Sequence, residues 1–175
     1  MASRVINRRQ FQSTAIAGAG AVIAGAPLCF ATEKNRLLAG AAEVVTTPKA
    51  EGTFLIGPMK QSTGVNDDPY ARALVLSDGD RRIAIVTLDY LGFDFAYTRE
   101  LLQAASKASE IPTDHIMLNC SHTHSAPLTA PWGPWNEHRD ESLYKLLPKK
   151  VAEVVRRACD NLQPARLRFH REPTQ

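Results

Sequence analysis

Cysteine is scarce in this chain: there are three in 175 residues, and no C-x-x-C pair among them. That excludes a disulfide framework and C-x-x-C redox chemistry. Acidic residues are missing altogether from the first 31 positions, which hold Arg4, Arg8 and Arg9. Taking those three from the 21 basic residues leaves 18 against 18 acidic ones, so the formal charge of +3 belongs to the N-terminal stretch. The remainder gives no electrostatic case for binding nucleic acid or an anionic membrane. No apolar run is both long and poor enough in glycine to make a stable membrane span. Internal repeats are absent, and no Gly-x-Ser-x-Gly elbow surrounds Ser125, so Ser125 is not a convincing nucleophile.

What is present starts with an export layout. Asn7-Arg8-Arg9-Gln10-Phe11 precedes an uncharged, Ala/Gly-rich run from Ser13 to Ala31. A basic start, a weakly apolar middle and small residues at the end read as a secretory signal. The adjacent arginines resemble the twin-arginine type, which delivers a chain to the periplasm or outside the cell. Cleavage after Ala31 fits, whereas Leu28 before Cys29 is a poor lipobox. The same residues also fit a basic N-terminus on an Ala-rich core helix. The expected division is a signal over 1–31, a linker over 32–36 and a single domain from 37 to 175. With Cys29 removed, Cys120 falls in a strand and Cys159 in a helical pattern, and two buried thiols are expected rather than a bridge.

The mature part has the 44% apolar and 22% charged content of an ordinary globular domain. Leu37–Val45 reads as a first strand, stopped by Thr46-Thr47-Pro48. Lys49–Pro69 carries Gly52, Gly57, Pro58 and Gly64 without periodicity and reads as loop. Arg72–Leu76 and Arg82–Leu88 flank Ser77-Asp78-Gly79-Asp80, the signature of a hairpin. The second of these strands is apolar at nearly every position, as in a strand covered on both faces. Tyr97–Ser109 has helical spacing and closes at Ile111-Pro112. His115–Cys120 is a further strand. Ser142–Asn161 is an amphipathic helix whose Pro148 predicts a kink or a split. Its basic residues, Lys149, Lys150, Arg156 and Arg157, read as a solvated face. Ala165–His170 alternates like a half-exposed strand. The string β-β-β-α-β-α-β predicts an α/β or α+β fold, a mixed sheet with flanking helices.

The chemistry concentrates in Ser121-His122-Thr123-His124-Ser125-Ala126-Pro127. On an extended chain His122 and His124 share a face while Thr123 takes the other. Two imidazoles at the carboxyl end of a strand suit metal ligation; they also suit plain polar residues satisfied by backbone and water. Trp132 and Trp135, in the loop that follows, fit either the wall of a site or the cover of a core edge.

Four ordered stretches together resemble the neutral/alkaline non-lysosomal ceramidase family. They are Ala39–Pro48, the Asp68-Pro69-Tyr70-Ala71-Arg72-Ala73-Leu74-Val75-Leu76 segment, the Ala84–Asp89 strand, and Ile111-Pro112 followed by His122–Pro127, where Ala126 replaces the family's glycine. The resemblance implies the N-terminal portion of a zinc amidohydrolase that cleaves the N-acyl amide bond of ceramide or a related N-acyl lipid. It implies Zn2+ as cofactor, His122 as a metal ligand, and His124 as a catalytic residue beside the substrate amide. A catalytic zinc needs about three protein ligands. Asp89, Glu137 and His138 are candidates for the others, as is a complementing C-terminal chain; otherwise His138 and His170 read as solvated. The alternative expectation is a non-catalytic ceramidase-like fragment or binding domain that lacks the remaining ligands.

Overall fold

A computed structural model of the protein describes residues 37–48, 51–55, 57, 60–129, 138 and 140–171. The export signal, the linker, Glu137 and the two tryptophans fall outside the described residues. The strands are β1 (Leu38–Val45), β2 (Phe54–Leu55), β3 (Lys60–Gln61), β4 (Tyr70–Ser77), β5 (Arg82–Leu88), β6 (Ile116–Cys120) and β7 (Gln163–Pro164). The helices are α1 (Phe95–Ser109) and α2 (Glu141–Asp160). Five strands form one mixed sheet in the order β6-β5-β4-β1-β7, and β2 and β3 form a separate two-stranded ribbon. The expected mixed sheet with flanking helices is therefore present.

Pattern dictates most of it. β4 and β5 pair antiparallel from Ala71↔Leu88 to Ser77↔Arg82. The turn between them uses Gly79 at φ 98, a region closed to most side chains, and the Asp78 carboxylate accepts from the amides of Asp80 and Arg81. Those two amides hold the Asp78 carboxyl below its usual range. A parallel neighbour for β5 requires a crossover, which α1 supplies on the way to β6. Asp94 caps α1 by accepting from the Tyr97 amide at 2.8 Å, and Glu110 closes it in the left-handed region.

Both helices pack on one face of the sheet. Ala71, Ala73 and Val75 of β4 and Ala84, Val86 and Leu88 of β5 are buried there, in one cluster with Leu101 of α1 and Leu143, Leu147, Val151 and Val155 of α2. The other face corrects the sequence reading of β5. Alternate positions Leu74, Ile83 and Met117 are 39%, 44% and 57% exposed, so among the described residues only one face is covered. An all-apolar strand marks a two-sided environment only when both layers are present.

Two further expectations change. Ala165–His170 is not a strand: pairing ends after β7, which meets β1 at two positions only, and Leu167 and Phe169 stand exposed. Of the kink or split expected at Pro148, the split is absent: α2 runs unbroken for 20 residues. The proline cannot donate to the Tyr144 carbonyl one turn back. The Tyr97 hydroxyl donates to that carbonyl instead, at 2.8 Å, so α1 repairs the gap in α2.

Asp140 begins α2 and ties it to the ribbon. Its carboxylate accepts from the amides of Ser142 and Leu143, from the Ser142 hydroxyl, and from the Thr53 hydroxyl at 3.3 Å. Burial alone would raise its pKa, but the Ser142 hydroxyl and these other donors outweigh it and hold the carboxyl below the usual range. A carboxyl depressed on folding adds stability above its unfolded pKa and loses it as pH falls through the folded value. Asp140→Ala is expected to cost about 1 kcal/mol at neutral pH. In urea titrations the deficit against the parent chain should shrink as pH drops below about 4. A deficit that does not change with pH would refute the capping role.

Candidate functional site

β5 and β6 lie parallel, so their carboxyl ends open side by side, with Leu88 paired to Cys120. The chain leaving β6 is laced to the chain leaving β5. The Ser121 amide donates to the Leu88 carbonyl at 3.0 Å and the His122 amide to the Tyr90 carbonyl at 3.0 Å. Tyr90 is fully buried, and its hydroxyl donates to the Thr46 carbonyl at 2.9 Å. Burial drives the Tyr90 pKa well above the ordinary phenol value, so the ring stays a neutral donor.

The strand ends at Cys120, and His122 takes φ 58 in the left-handed region. A histidine there costs on the order of 1 kcal/mol, a strain held by the backbone bonds around it. Alternation persists in effect. Ser121, Thr123 and Ser125 line one cavity, whereas His122 and His124 lie off its wall with ring centroids 5.4 Å apart, tilted by 60°. The structure thus brings the two histidines together through a turn and not along a pleat.

His122 is oriented. Its Nδ1 lies 2.9 Å from the Leu91 carbonyl, and a carbonyl only accepts, so Nδ1 carries the proton and Nε2 presents a lone pair. Metal-binding histidines are commonly fixed in this way. His124 is held by its backbone: its carbonyl accepts from the Gly57 amide at 2.8 Å. A Cβ on Gly57 would come within 2.4 Å of that carbonyl oxygen, so this approach admits only glycine. Past the motif, Pro127 bridges to Leu55, and Leu128, Leu91 and Phe54 close a small apolar cluster under the loop.

The other candidates among the described residues do not join them. Asp89 accepts from Arg72 Nη1 at 2.7 Å and from the Tyr70 amide at 3.1 Å, so it fastens β4 to β5. Hydrogen bonding to Asp89 raises the Arg72 pKa further, against a smaller opposing effect of burial. His138 is exposed and stacks on Phe54 with ring centroids 4.1 Å apart. His170 is exposed in the C-terminal coil. Among the described residues, no group of three His, Cys, Asp or Glu is placed to hold a metal ion. The donor chemistry fits zinc at His122, and the full ligand set is not found among those residues. Cys120 and Cys159 are free thiols, half-buried rather than buried; burial pushes the Cys120 thiol up to about 11. Sequence reasoning missed Leu91 and Gly57. A backbone carbonyl carries no side-chain signal, but a glycine in an aperiodic loop was a visible hint.

The cavity on the other side of the loop measures about 640 Å³. Leu55 and Val65 contribute apolar wall, and Thr47, Asp67, Asp68 and Asp89 contribute polar wall. No helix among the described residues is long and apolar enough to cross a membrane.

No family model matches the chain, and no curated protein matches its sequence. Solved structures do match. A neutral ceramidase from Pseudomonas aeruginosa is similar with a TM-score of 0.64 at 21% identity, covering 74% of this chain and 22% of that chain. A ceramidase complexed with C2 is similar with a TM-score of 0.63 at 21% identity, with the same coverage of both chains. The protein therefore spans about a fifth of the length of the solved ceramidases it matches. At this level of identity the likeness speaks for architecture: the chain has the fold of a neutral ceramidase-like N-terminal portion.

Proposed function

We propose that the chain serves a zinc-dependent amidohydrolase of the neutral ceramidase type, acting on the N-acyl amide bond of ceramide or a related N-acyl lipid. The observation that carries this is the oriented histidine pair, with Nδ1 of His122 spent on the Leu91 carbonyl and the His124 ring beside it. In this reading Nε2 of His122 holds the metal, and the left-handed turn at His122 aims it. A zinc held there would supply Lewis acidity, lowering the pKa of water toward neutrality and polarising the amide carbonyl. The His124 ring donates a hydrogen bond to the amide oxygen as negative charge develops on it. The remaining ligands come from outside the described residues or from a complementing chain. The first 31 residues act as a twin-arginine signal, taking the protein to the periplasm or beyond the cell.

The test is zinc content by mass spectrometry on the purified chain, followed by turnover of a fluorogenic N-acyl amide. About one zinc per chain is expected, lost in His122→Ala. His124→Ala is expected to keep the metal and lose about 10²–10³ in rate. Zinc absent from parent and variant alike would sink the assignment. A second reading, a non-catalytic ceramidase-like fragment or binding domain, is favoured by the absence of a full ligand set among the described residues. Zinc absent, or retained without turnover, would select it.

A further inference from the structure

The motif loop has two chemical faces, and the proposed function uses one. The other face, with the hydroxyls of Ser121, Thr123 and Ser125, forms part of the wall of the cavity of about 640 Å³. That volume lies within the usual range for small-molecule sites. Asn66, Asp67 and Asp68 of the loop before β4 line the same cavity, with Leu55 and Val65 as apolar contact. No lysine, arginine or histidine lines the cavity among the described residues.

This composition selects its ligand. Hydroxyl side chains both donate and accept, while carboxylates accept only. The wall as a whole is acceptor-rich, so it is matched by a ligand rich in O–H donors and mismatched by an anion. Hydrogen bonds from neutral hydroxyls to carboxylates are charge-assisted and stronger than neutral ones. The acids are already steadied: Asp67 accepts from the Asn66 amide at 2.6 Å, Asp68 from the Thr47 hydroxyl, and Asp89 from Arg72. Each carboxylate has about four acceptor positions, so these bonds leave capacity for a ligand. The Leu55 and Val65 side chains suit the C–H edge of a ring or the start of an alkyl chain.

We infer that this cavity is a binding site for a neutral polyhydroxylated group of monosaccharide size, either a free sugar or the headgroup of a lipid. The histidines are not part of its wall, so the inference does not depend on zinc chemistry.

The test is titration calorimetry of the full chain with methyl glucoside, with octyl glucoside below its micelle concentration, and with glucuronate. The neutral glycosides are expected to bind in the millimolar range and glucuronate at least about tenfold more weakly. Tighter binding of octyl glucoside than of methyl glucoside would identify a lipid headgroup as the source; equal binding would identify a free sugar. Asp67→Ala removes an exposed carboxylate whose hydrogen bond is to its neighbour Asn66. Gly64→Trp fills the cavity at a position where an added Cβ meets nothing within 4 Å. Each is expected to weaken glycoside binding about tenfold or more. Added EDTA is expected to leave it unchanged, which separates this site from the zinc reading. Glucuronate binding as well as the glycosides, no binding of any of them, or full binding by the Gly64→Trp chain would overturn the assignment.

Discussion

Gly40→Ala is expected to lower the free energy of unfolding by on the order of 3 kcal/mol. Gly40 lies within β1, paired to Val75 of β4, where the end of α2 crosses the sheet. A Cβ at this position would sit 2.0 Å from the Ala158 carbonyl oxygen and 2.9 Å from both the Asn161 carbonyl carbon and the Leu162 amide nitrogen. All three neighbours are backbone, so no rotamer change makes room, and either β1 or the end of α2 has to move. The Leu162 turn and the β7 pairing to β1 lie on the same stretch, so displacement there also loosens the edge of the sheet. Urea midpoints followed by circular dichroism give the value, with Gly64→Ala as the comparison. At Gly64 nothing lies within 4 Å of an added Cβ, and the change should be within about 0.5 kcal/mol. Equal midpoints for the two variants would show that α2 retreats from the sheet without penalty.

Leu147→Ala is expected to cost about 2–5 kcal/mol, because its side chain is fully buried. It sits mid-helix on the stripe formed with Leu143, Val151 and Val154, pressed on the covered face of the sheet. Phe169→Ala removes a larger side chain from a position 89% exposed and should change stability by less than about 0.5 kcal/mol. The same urea titrations decide it. Similar losses from both would place the C-terminal coil in the core, against the observed exposure.

The elements that could be read from the sequence were those whose pattern is long enough to repeat. β5 and the hairpin before it follow from an apolar run and an Asp-Gly turn, and α1 from its spacing and the Ile111-Pro112 stop. β2 and β3 could not be read, because two-residue strands have no period. The alternation at Ala165–His170 misled for a related reason: it shows that a strand can form, whereas pairing needs an edge to meet, and β1 offers one at two positions only. β5 misled about its surroundings, since apolar residues on both faces describe the strand and not the layers beside it. At the site, the two rings of the His-x-His motif do lie side by side, but through a turn and not along the strand that the spacing predicts. What aims them is backbone, the Leu91 carbonyl and the turn at His122, and a sequence does not spell out where its carbonyls point.

Pro148 and Tyr97 also constrain how this sequence can drift. With proline at 148, the Tyr97 hydroxyl donates to the Tyr144 carbonyl, so removing that hydroxyl takes a hydrogen bond from a buried acceptor. Once residue 148 carries an amide proton, the helix satisfies that carbonyl itself and position 97 is released. Loss of the hydroxyl at 97 is therefore costlier while proline stands at 148 than after that proline is replaced, so the two substitutions are coupled and their effects do not add.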